Sequence, residues 1–468
     1  MFNPENQYRC DIIRSKSTKQ MDDLLPAYAS IISELCPLNS TQFKTEIRNK
    51  FSYLLFDNSF EELEKNNQKT VDNHRTEIAS KLFGMYYVKD GVVYESVTTS
   101  KLLEDNDQPA FFKNLCLNFQ FPNGTQSINT VIERVSDGIS LKPFHFIISL
   151  LNEAQKVKTT ITKTEVAYYV LNSLDVLQGK VTSVNVLDKI IDDRNKGLLK
   201  EVKLVKNKTW TFQHISGQLN LLLLANLIRI SGDTIYLNNK ESDTIKEFLN
   251  QLYTPLAFDI KSYNLGDKEE RKLMYQDWAF YYSRVYVSDY DILTTSIESL
   301  QQDEALKPYE KVKKKGVNHN LLGDEGEEYV YQIEKSRVTD YNPRLANKVI
   351  MLGKQRGIGY DISSIEANEN TDDPEFARFI EVKSTKRTTV PSLDDKSWVD
   401  TINLTRKEWV AAKQYKTAYN IYRVYFTPNE TIIRRIINPF EKNENGTIRV
   451  LPTMYRMDFF SKSIDEQY

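Results

Sequence analysis

The chain has 468 residues, and its 62 Lys and Arg nearly balance its 64 Asp and Glu, which gives a formal net charge of −2. This length is more than one hydrophobic core usually serves, so it predicts about two to four domains. The balanced charge excludes a surface that is strongly basic overall, so any site for a polyanion has to come from local clusters of basic residues. Cys10, Cys36 and Cys116 are far apart, which argues against a disulfide framework and against a CxxC metal site.

The N-terminus and the apolar runs of the chain predict where the protein resides. The first ten residues, MFNPENQYRC, are polar and lack the apolar core of an export signal. The strongest apolar run, residues 219–228, is much shorter than a membrane span. We therefore expect a cytoplasmic protein with no export and no membrane anchor.

Residues 20–90 combine helical periodicity with the strand-like pair MYYVKDGVVYES. Its centre, Asp90-Gly91, is a strong signal for a hairpin turn. The hairpin has the form of a wing beside a group of helices.

Residues 145–240 predict three helices followed by a second hairpin, ISGDTIYLN, which is the outline of a winged helix. Thr162 or Thr164 is the expected N-cap of one helix, and Gly197 is the expected C-terminal residue of the next. If the third helix recognises DNA, four of its polar side chains are able to reach base edges: Gln213, His214, Gln218 and Asn220. A helical protein-interaction module would have the same pattern, so both hypotheses remain open.

The next region predicts a charged and then aromatic helix over residues 266–283 and a polar linker over 300–320. The linker contains a run of basic residues, Lys313, Lys314 and Lys315. These lysines could contact phosphates, although a lysine run is more often simply solvated.

The segment from Leu322 to Phe426 contains the residues with the clearest chemistry. YDISS and RFIEVKS predict an antiparallel strand pair. Side chains alternate along a strand, so Glu381 and Lys383 share one face, and Asp361 can lie beside them. Asp361 and Glu381 would offer hard oxygen ligands to Mg²⁺, and Lys383 would orient water or balance charge during phosphodiester hydrolysis. Taken alone, the pattern is more often that of a surface strand than of an active site.

The motifs GDEGEEYVYQIE, GIGYDISS, FIEVKST and LTRKEWVAAKQYKTAYNIYRVYF occur here in order. Together they resemble the nuclease-related domain found at the C-terminus of the plant protein NO VEIN and in many bacterial defence proteins, a domain of the PD-(D/E)XK superfamily. The resemblance implies that Asp361 and Glu381 bind the metal, that Glu381 and Lys383 form the E-x-K pair, and that Glu327 is the glutamate of the first helix. Glu327 would then support the metal site directly or through a neighbouring group.

A second set of segments lies in the N-terminal part: FFKNLCLNFQFPNG, ITKTEVAYYVLN and HISGQLNLLLLANLIRISG. They are similar to the recognition region of AlwI-like type IIS restriction endonucleases. This resemblance implies an enzyme that binds double-stranded DNA through its N-terminal domains and cuts nearby with a tethered nuclease domain. The D…ExK set predicts Mg²⁺ as the cofactor, with Mn²⁺ able to substitute, and because only one such set is visible it also predicts a transient homodimer on DNA. No glycine-rich methyltransferase loop is evident in the sequence, so we expect a partner methyltransferase to protect the host DNA.

These predictions combine into a multidomain α+β and α/β chain in which N-terminal helical and winged-helix DNA-binding domains precede a C-terminal PD-(D/E)XK mixed-sheet nuclease domain. The predicted domains are a DNA-recognition domain (1–145), a winged-helix-like domain (146–262), a helical linker (263–315) and an endonuclease domain (316–468). Two alternatives remain: a modification-dependent restriction endonuclease with an aromatic pocket for a flipped base, and a catalytically inactive DNA-binding defence sensor or regulator.

Overall fold

The computed structural model describes residues 16–200, 209–285, 290–301, 322–352, 358–368, 373–392, 395, 398–451, 456–459 and 461–467. Lys313, Lys314 and Lys315 lie outside these residues. Gln213 and His214 belong to a described helix, but their side chains are outside the description.

The chain divides into two compact units. The N-terminal unit contains the described residues of 1–21, 31–101 and 109–295. The C-terminal unit contains those of 22–30, 102–108 and 296–468. A mixed helix-and-sheet multidomain chain is thus confirmed, whereas the four predicted domain bounds remain a prediction.

The α-helices of residues 16–301 are α1 Thr18–Leu35, α2 Ser40–Phe56, α3 Lys65–Asn73, α4 Val97–Asp105, α5 Gln108–Asn118, α6 Ile128–Ser136, α7 Pro143–Lys156, α8 Lys163–Glu165, α9 Leu174–Leu177, α10 Ser183–Asn195, α11 Thr209–Leu224, α12 Ser242–Gln251, α13 Lys268–Arg284 and α14 Ile297–Leu300. Those of residues 322–467 are α15 Leu322–Tyr341, α16 Arg406–Tyr415 and α17 Pro439–Glu444. Two π-helical segments, His74–Leu82 and Val166–Leu171, continue α3 and α8. No described helix combines the length and apolar character that crossing a membrane requires.

The strands of residues 16–301 are β1 Leu38–Asn39, β2 Tyr86–Lys89, β3 Val92–Glu95, β4 Ile161–Thr162, β5 Ile228–Ser231 and β6 Thr234–Leu237. Those of residues 322–467 are β7 Ile350–Met351, β8 Ile362–Ile365, β9 Ala377–Lys386, β10 Asp400–Asn403, β11 Tyr419–Phe426, β12 Thr431–Ile437, β13 Ile448–Leu451, β14 Arg456–Phe459 and β15 Glu466–Gln467.

Both predicted hairpins of the N-terminal unit are confirmed. Strands β2 and β3 pair antiparallel around Asp90 and Gly91, whose positive φ angles of 51° and 76° suit a tight hairpin turn. Strands β5 and β6 pair antiparallel, and β4 joins them in the order β4-β6-β5.

The helix ends between the hairpins also follow the sequence signals. Thr162 caps α8 in a capping box with Glu165, and Thr182 caps α10 in the same way with Asn185. Gly197 has a φ of +65° just beyond α10, a conformation that glycine adopts without steric cost.

The C-terminal unit contains a six-stranded mixed sheet in the order β15-β12-β11-β9-β8-β7. Strands β9 and β11 run parallel, and each of the other neighbouring pairs is antiparallel. The predicted pairing of YDISS with RFIEVKS is confirmed, with Ile362 opposite Ile380.

Helix α15 covers one face of this sheet, on which Val382 and Ser384 of β9 lie. The helix approaches so closely that a Cβ atom at Gly326 would come within 1.7 Å of the Ser384 Oγ. Glu334 of α15 is fully buried on this face, where it accepts hydrogen bonds from the hydroxyls of Tyr422 (2.7 Å) and Ser364 (2.8 Å). The opposite face therefore remains available to Glu381 and Lys383.

Helix α16 contacts a glycine in the segment that leads into β8. Gly359 has a φ of +84°, and a Cβ atom there would lie 2.7 Å from the carbonyl oxygen of Lys407 and 2.9 Å from the Cβ of Ala411. The Tyr419 hydroxyl donates a 2.9 Å hydrogen bond to the Gly359 carbonyl oxygen. This close approach fixes the start of α16 against the residues that precede Asp361.

We expect Gly359→Ala to destabilise the protein more than Gly446→Ala. Both glycines have positive φ angles, +84° and +74°, but a Cβ at Gly446 would meet no heavy atom within 4 Å among the described residues. Gly446→Ala should therefore lower the free energy of unfolding only by the strain of a left-handed alanine, about 1–2 kcal/mol. Gly359→Ala should lower it further, because the new Cβ overlaps the α16 backbone. Denaturant unfolding measures the free energy of unfolding of the two variants. Equal losses of stability would contradict the predicted overlap at Gly359.

The imidazole of His145 on α7 is fully buried against Phe248, with the ring centroids 4.8 Å apart. Neither of its nitrogens has a hydrogen-bond partner among the described residues. Burial, with a smaller contribution from Lys142, lowers the pKa of His145 to about 3. The folded protein therefore holds the neutral imidazole.

Because the unfolded chain binds this proton more readily, the stability that His145 contributes is complete above the unfolded pKa of about 6.5 and declines as pH falls toward 3. From pH 7 to pH 5 the loss is roughly 2 kcal/mol. We expect His145→Phe to lose less unfolding free energy than the wild type over this interval. Denaturant titrations of both proteins at pH 7 and pH 5 measure this change in unfolding free energy. Identical changes in the two proteins would show that His145 is not the titrating group.

Candidate active site

Asp361, Glu381 and Lys383 lie together, as strand alternation predicts. The Asp361 amide donates a 2.9 Å hydrogen bond to the Ile380 carbonyl, which fixes the residue just before β8 beside β9. The Asp361 Oδ2 accepts a 2.8 Å hydrogen bond from the Val382 amide. The carboxylate of Asp361 is therefore anchored by the backbone between Glu381 and Lys383.

Lys383 forms two ion pairs. Its Nζ lies 2.6 Å from the Glu381 Oε1 and 3.0 Å from the Glu408 Oε2. The side chains of Glu381 and Glu408 are only 4% and 14% exposed, so bulk water screens these contacts weakly. A single ammonium group is thus shared by two carboxylates.

Burial shapes the protonation of this cluster. It raises the pKa of Glu381 well above the ordinary value, although Lys383 opposes the shift. It also raises the pKa of Asp361, against the Val382 amide, which lowers it. Burial alone would lower the pKa of Lys383, but the carboxylates of Glu381 and Glu408 outweigh it and raise the pKa above its ordinary value.

Glu408 is a site residue that the sequence prediction did not include. The pattern Thr405-x-x-Glu408 forms a capping box at the start of α16, in which the Glu408 Oε2 accepts a 2.9 Å hydrogen bond from the Thr405 amide. The capping signal was present in the sequence. Its position beside Lys383 depends on how α16 packs, which no local pattern reveals.

Arg423 of β11 supports Lys383 from the backbone side. This arginine is almost fully buried, and it donates hydrogen bonds to the Asp400 Oδ2 (2.7 Å) and to the Lys383 carbonyl oxygen (3.2 Å). The Tyr425 hydroxyl donates to the same Asp400 oxygen (2.7 Å). This buried network holds the strand backbone at Lys383.

Glu327 lies on α15, one residue after Gly326, and is partly buried. Gly326 is the point at which α15 touches Val382 and Ser384, on the face of β9 opposite to Glu381 and Lys383. The predicted support of the metal site by Glu327 therefore stays a prediction.

The predicted base-contacting residues of α11 are placed only in part. Gln218 is fully buried, so its side chain does not reach a surface where a base edge could lie. Asn220 is partly exposed, and its role stays a prediction. The periodic pattern alone did not distinguish a buried polar side chain from an exposed one.

The donor set of the candidate site fits Mg²⁺. The carboxylates of Glu381 and Glu408 flank the Lys383 ammonium, and Asp361 interacts electrostatically with the same group. Because burial raises the pKa values of Asp361 and Glu381, a divalent cation would favour the ionised forms of both. Among the described residues, no group of three or more His, Cys, Asp or Glu side chains is arranged to hold a metal ion. Two carboxylates are nevertheless sufficient, because Mg²⁺ commonly keeps several waters and takes further oxygens from substrate phosphate.

Comparison with known families finds two matches. Residues 326–436 match the family described as Protein NO VEIN, C-terminal, which confirms the resemblance carried by the site motifs. Residues 2–279 match the family described as Restriction endonuclease BpuJI, N terminal, which confirms the relationship of this region to restriction endonucleases. A search of curated proteins gave no match.

Among solved structures, the chain is similar to one titled "Crystal structure of pyrene- and phenanthrene-modified DNA in complex with the BpuJ1 endonuclease binding domain". The two share 43% sequence identity with a TM-score of 0.56, and the match covers 61% of this chain and 100% of that chain. Since the N-terminal family match spans more than half of the sequence, this protein belongs to the family of the restriction endonuclease BpuJI N-terminal domain.

Proposed function

We propose that this protein is a Mg²⁺-dependent, sequence-specific DNA endonuclease of type IIS-like character, with a PD-(D/E)XK catalytic domain in its C-terminal unit. The observation that supports this most is the convergence of Asp361, Glu381 and Lys383 on one sheet face. The NO VEIN family match over the same residues is independent support.

In this proposal, Asp361 and Glu381 would hold the metal ion. Bound there, Mg²⁺ would polarise the scissile phosphate and lower the pKa of a water molecule. Asp361 is held in place by the Val382 amide, and the Lys383 ammonium is held beside Glu381. Lys383 would orient the attacking water and offset the negative charge that develops on the phosphate.

The N-terminal unit would bind double-stranded DNA. The neighbour with 43% identity is described as an endonuclease binding domain in complex with DNA. The proposed winged helix is supported by the strand order β4-β6-β5 and by the contacts of α7 with β6 and of α11, the predicted recognition helix, with β5. Asn220 remains a candidate for base contact.

Cutting both DNA strands requires two hydrolytic events, and the described residues of one chain contain one such site. We propose that a transient homodimer forms on DNA, that Mn²⁺ substitutes for Mg²⁺, and that a cognate methyltransferase protects the host genome. Cleavage restricted to methylated DNA would instead favour a modification-dependent endonuclease. Specific binding with no cleavage in either metal would favour the inactive sensor or regulator.

Asp361→Asn, Glu381→Gln and Lys383→Ala should each reduce cleavage of duplex DNA at least about 100-fold in Mg²⁺, because each removes a metal ligand or the charge beside it. DNA binding, measured by fluorescence anisotropy, should change little. In Ca²⁺, the wild type should bind without cutting, since Ca²⁺ prefers more ligands and longer bonds. Glu375→Gln is the matched control, because Glu375 is an exposed carboxylate that pairs with Lys348. Near wild-type cleavage by any of the three site variants would refute its assignment.

If two chains meet on DNA, the rate of double-strand cleavage per enzyme should rise with enzyme concentration. Plasmids with two recognition sites should then be cut faster than plasmids with one. The amounts of nicked and linear DNA over time give the rate of double-strand cleavage for each enzyme concentration and each plasmid. Strictly first-order cutting with early accumulation of nicked plasmid would point to sequential nicking by a monomer.

A further inference from the structure

Lys383 has a second carboxylate partner outside the D…ExK set. The Glu408 Oε2 lies 3.0 Å from the Lys383 Nζ, and Glu408 belongs to a helix that follows β9 by a long connection. Glu408 lies in the family motif that begins LTRKEW, and the resemblance stated above assigns no role to it. Its contact with Lys383 matters most when Glu381 binds a metal ion.

We propose that Glu408 is a positioning residue that keeps the Lys383 ammonium in place when the Glu381 carboxylate turns toward a metal ion. This proposal rests on the proposed nuclease function. Lys383 contacts Glu381 and Glu408 together. Once Glu381 donates its oxygens to a cation, Glu408 is the carboxylate that stays with the lysine.

The surroundings of Lys383 make such a partner necessary. Its side chain is only 21% exposed, and its neighbour Glu381 is 4% exposed. A largely buried ammonium group that loses its counter-charge is strongly destabilised and moves toward solvent. This movement would remove the lysine from the position in which it can orient water.

Glu408 itself is well held for this purpose. Its Oε2 accepts a hydrogen bond from the Thr405 amide, and its own amide donates to the Thr405 Oγ1. Helix α16 is fixed in turn by the close approach of Gly359 to the Lys407 carbonyl. The carboxylate therefore has little freedom to follow the lysine elsewhere.

A purely structural role as part of the capping box is the competing explanation, and two variants separate it. Glu408→Gln removes the charge but retains an oxygen that can accept from the Thr405 amide, since glutamine also serves in capping boxes. Thr405→Ala removes the Oγ1 that caps the helix but leaves the Glu408 carboxylate beside Lys383.

The first measurement is single-turnover cleavage of duplex DNA by full-length protein in Mg²⁺. We expect Glu408→Gln to slow cleavage about 10- to 100-fold without changing DNA affinity, the size of effect typical of groups that orient a metal-site residue. Glu408→Asp should recover part of the rate, and Thr405→Ala should cut at close to the wild-type rate. Wild-type rates for Glu408→Gln, or equal slowing by Thr405→Ala, would overturn the proposal.

The second measurement needs no activity and uses thermal unfolding of the metal-free protein. With Lys383 present, Glu408→Gln should lower the unfolding midpoint, because it removes a counter-charge. In the Lys383→Ala background the same substitution should raise the midpoint, because three carboxylates then repel one another without a cation. A shift of the same sign in both backgrounds would mean that Glu408 serves only the helix start.

These two measurements also separate this inference from the proposed function. Absence of cleavage by the wild type would refute the nuclease, while the sign reversal in unfolding would still report the pairing of Lys383 with Glu408. Cleavage by the wild type together with an unaffected Glu408→Gln variant would refute only the inference.

Discussion

The arrangement of the C-terminal unit depends on one buried ammonium group, that of Lys383, shared between the carboxylates of Glu381 and Glu408. Without it, three carboxylates would lie together in a weakly screened environment, and their repulsion would oppose folding. With it, burial still raises the pKa values of Asp361 and Glu381. A divalent cation would favour their ionised forms, and this supports the proposed metal site.

The mixed sheet keeps two ionic clusters apart by placing them on opposite faces. On the α15 side, Glu334 is paired with Arg337 and Arg378 and accepts two hydroxyl hydrogen bonds, so its bonding capacity is filled. On the α16 side, the carboxylates outnumber the single lysine. The first cluster has the properties of a structural network. The second is rich in carboxylate oxygens around one ammonium group, and this difference supports the choice of face for a cation site.

The sequence predicts local strand geometry at the candidate site, but it does not predict how helices pack or which polar side chains are buried. Alternation along β9 correctly placed Glu381 and Lys383 on one face, and the strand pairing placed Asp361 next to them, because both depend on local geometry. Glu408 was not found, because its place beside Lys383 follows from the packing of α16. Gln218 was chosen as a polar residue able to reach DNA, yet it is buried, since periodicity does not reveal which polar side chains the core encloses. The hairpins at Asp90 and Asp233 were predictable from their turn residues.

The family match and the DNA-bound neighbour concern the first part of the chain, whereas the chemistry concerns the last part. We propose that Asp361 and Glu381 hold a metal ion while Lys383 remains paired with Glu408. Anomalous diffraction from crystals of the full-length protein soaked in Mn²⁺ would locate the metal ion and the lysine together. We expect a manganese peak within bonding distance of the Asp361 and Glu381 carboxylates, with the Lys383 Nζ still paired to Glu408. A peak elsewhere, or Glu408 ligating the metal with Lys383 displaced, would contradict it.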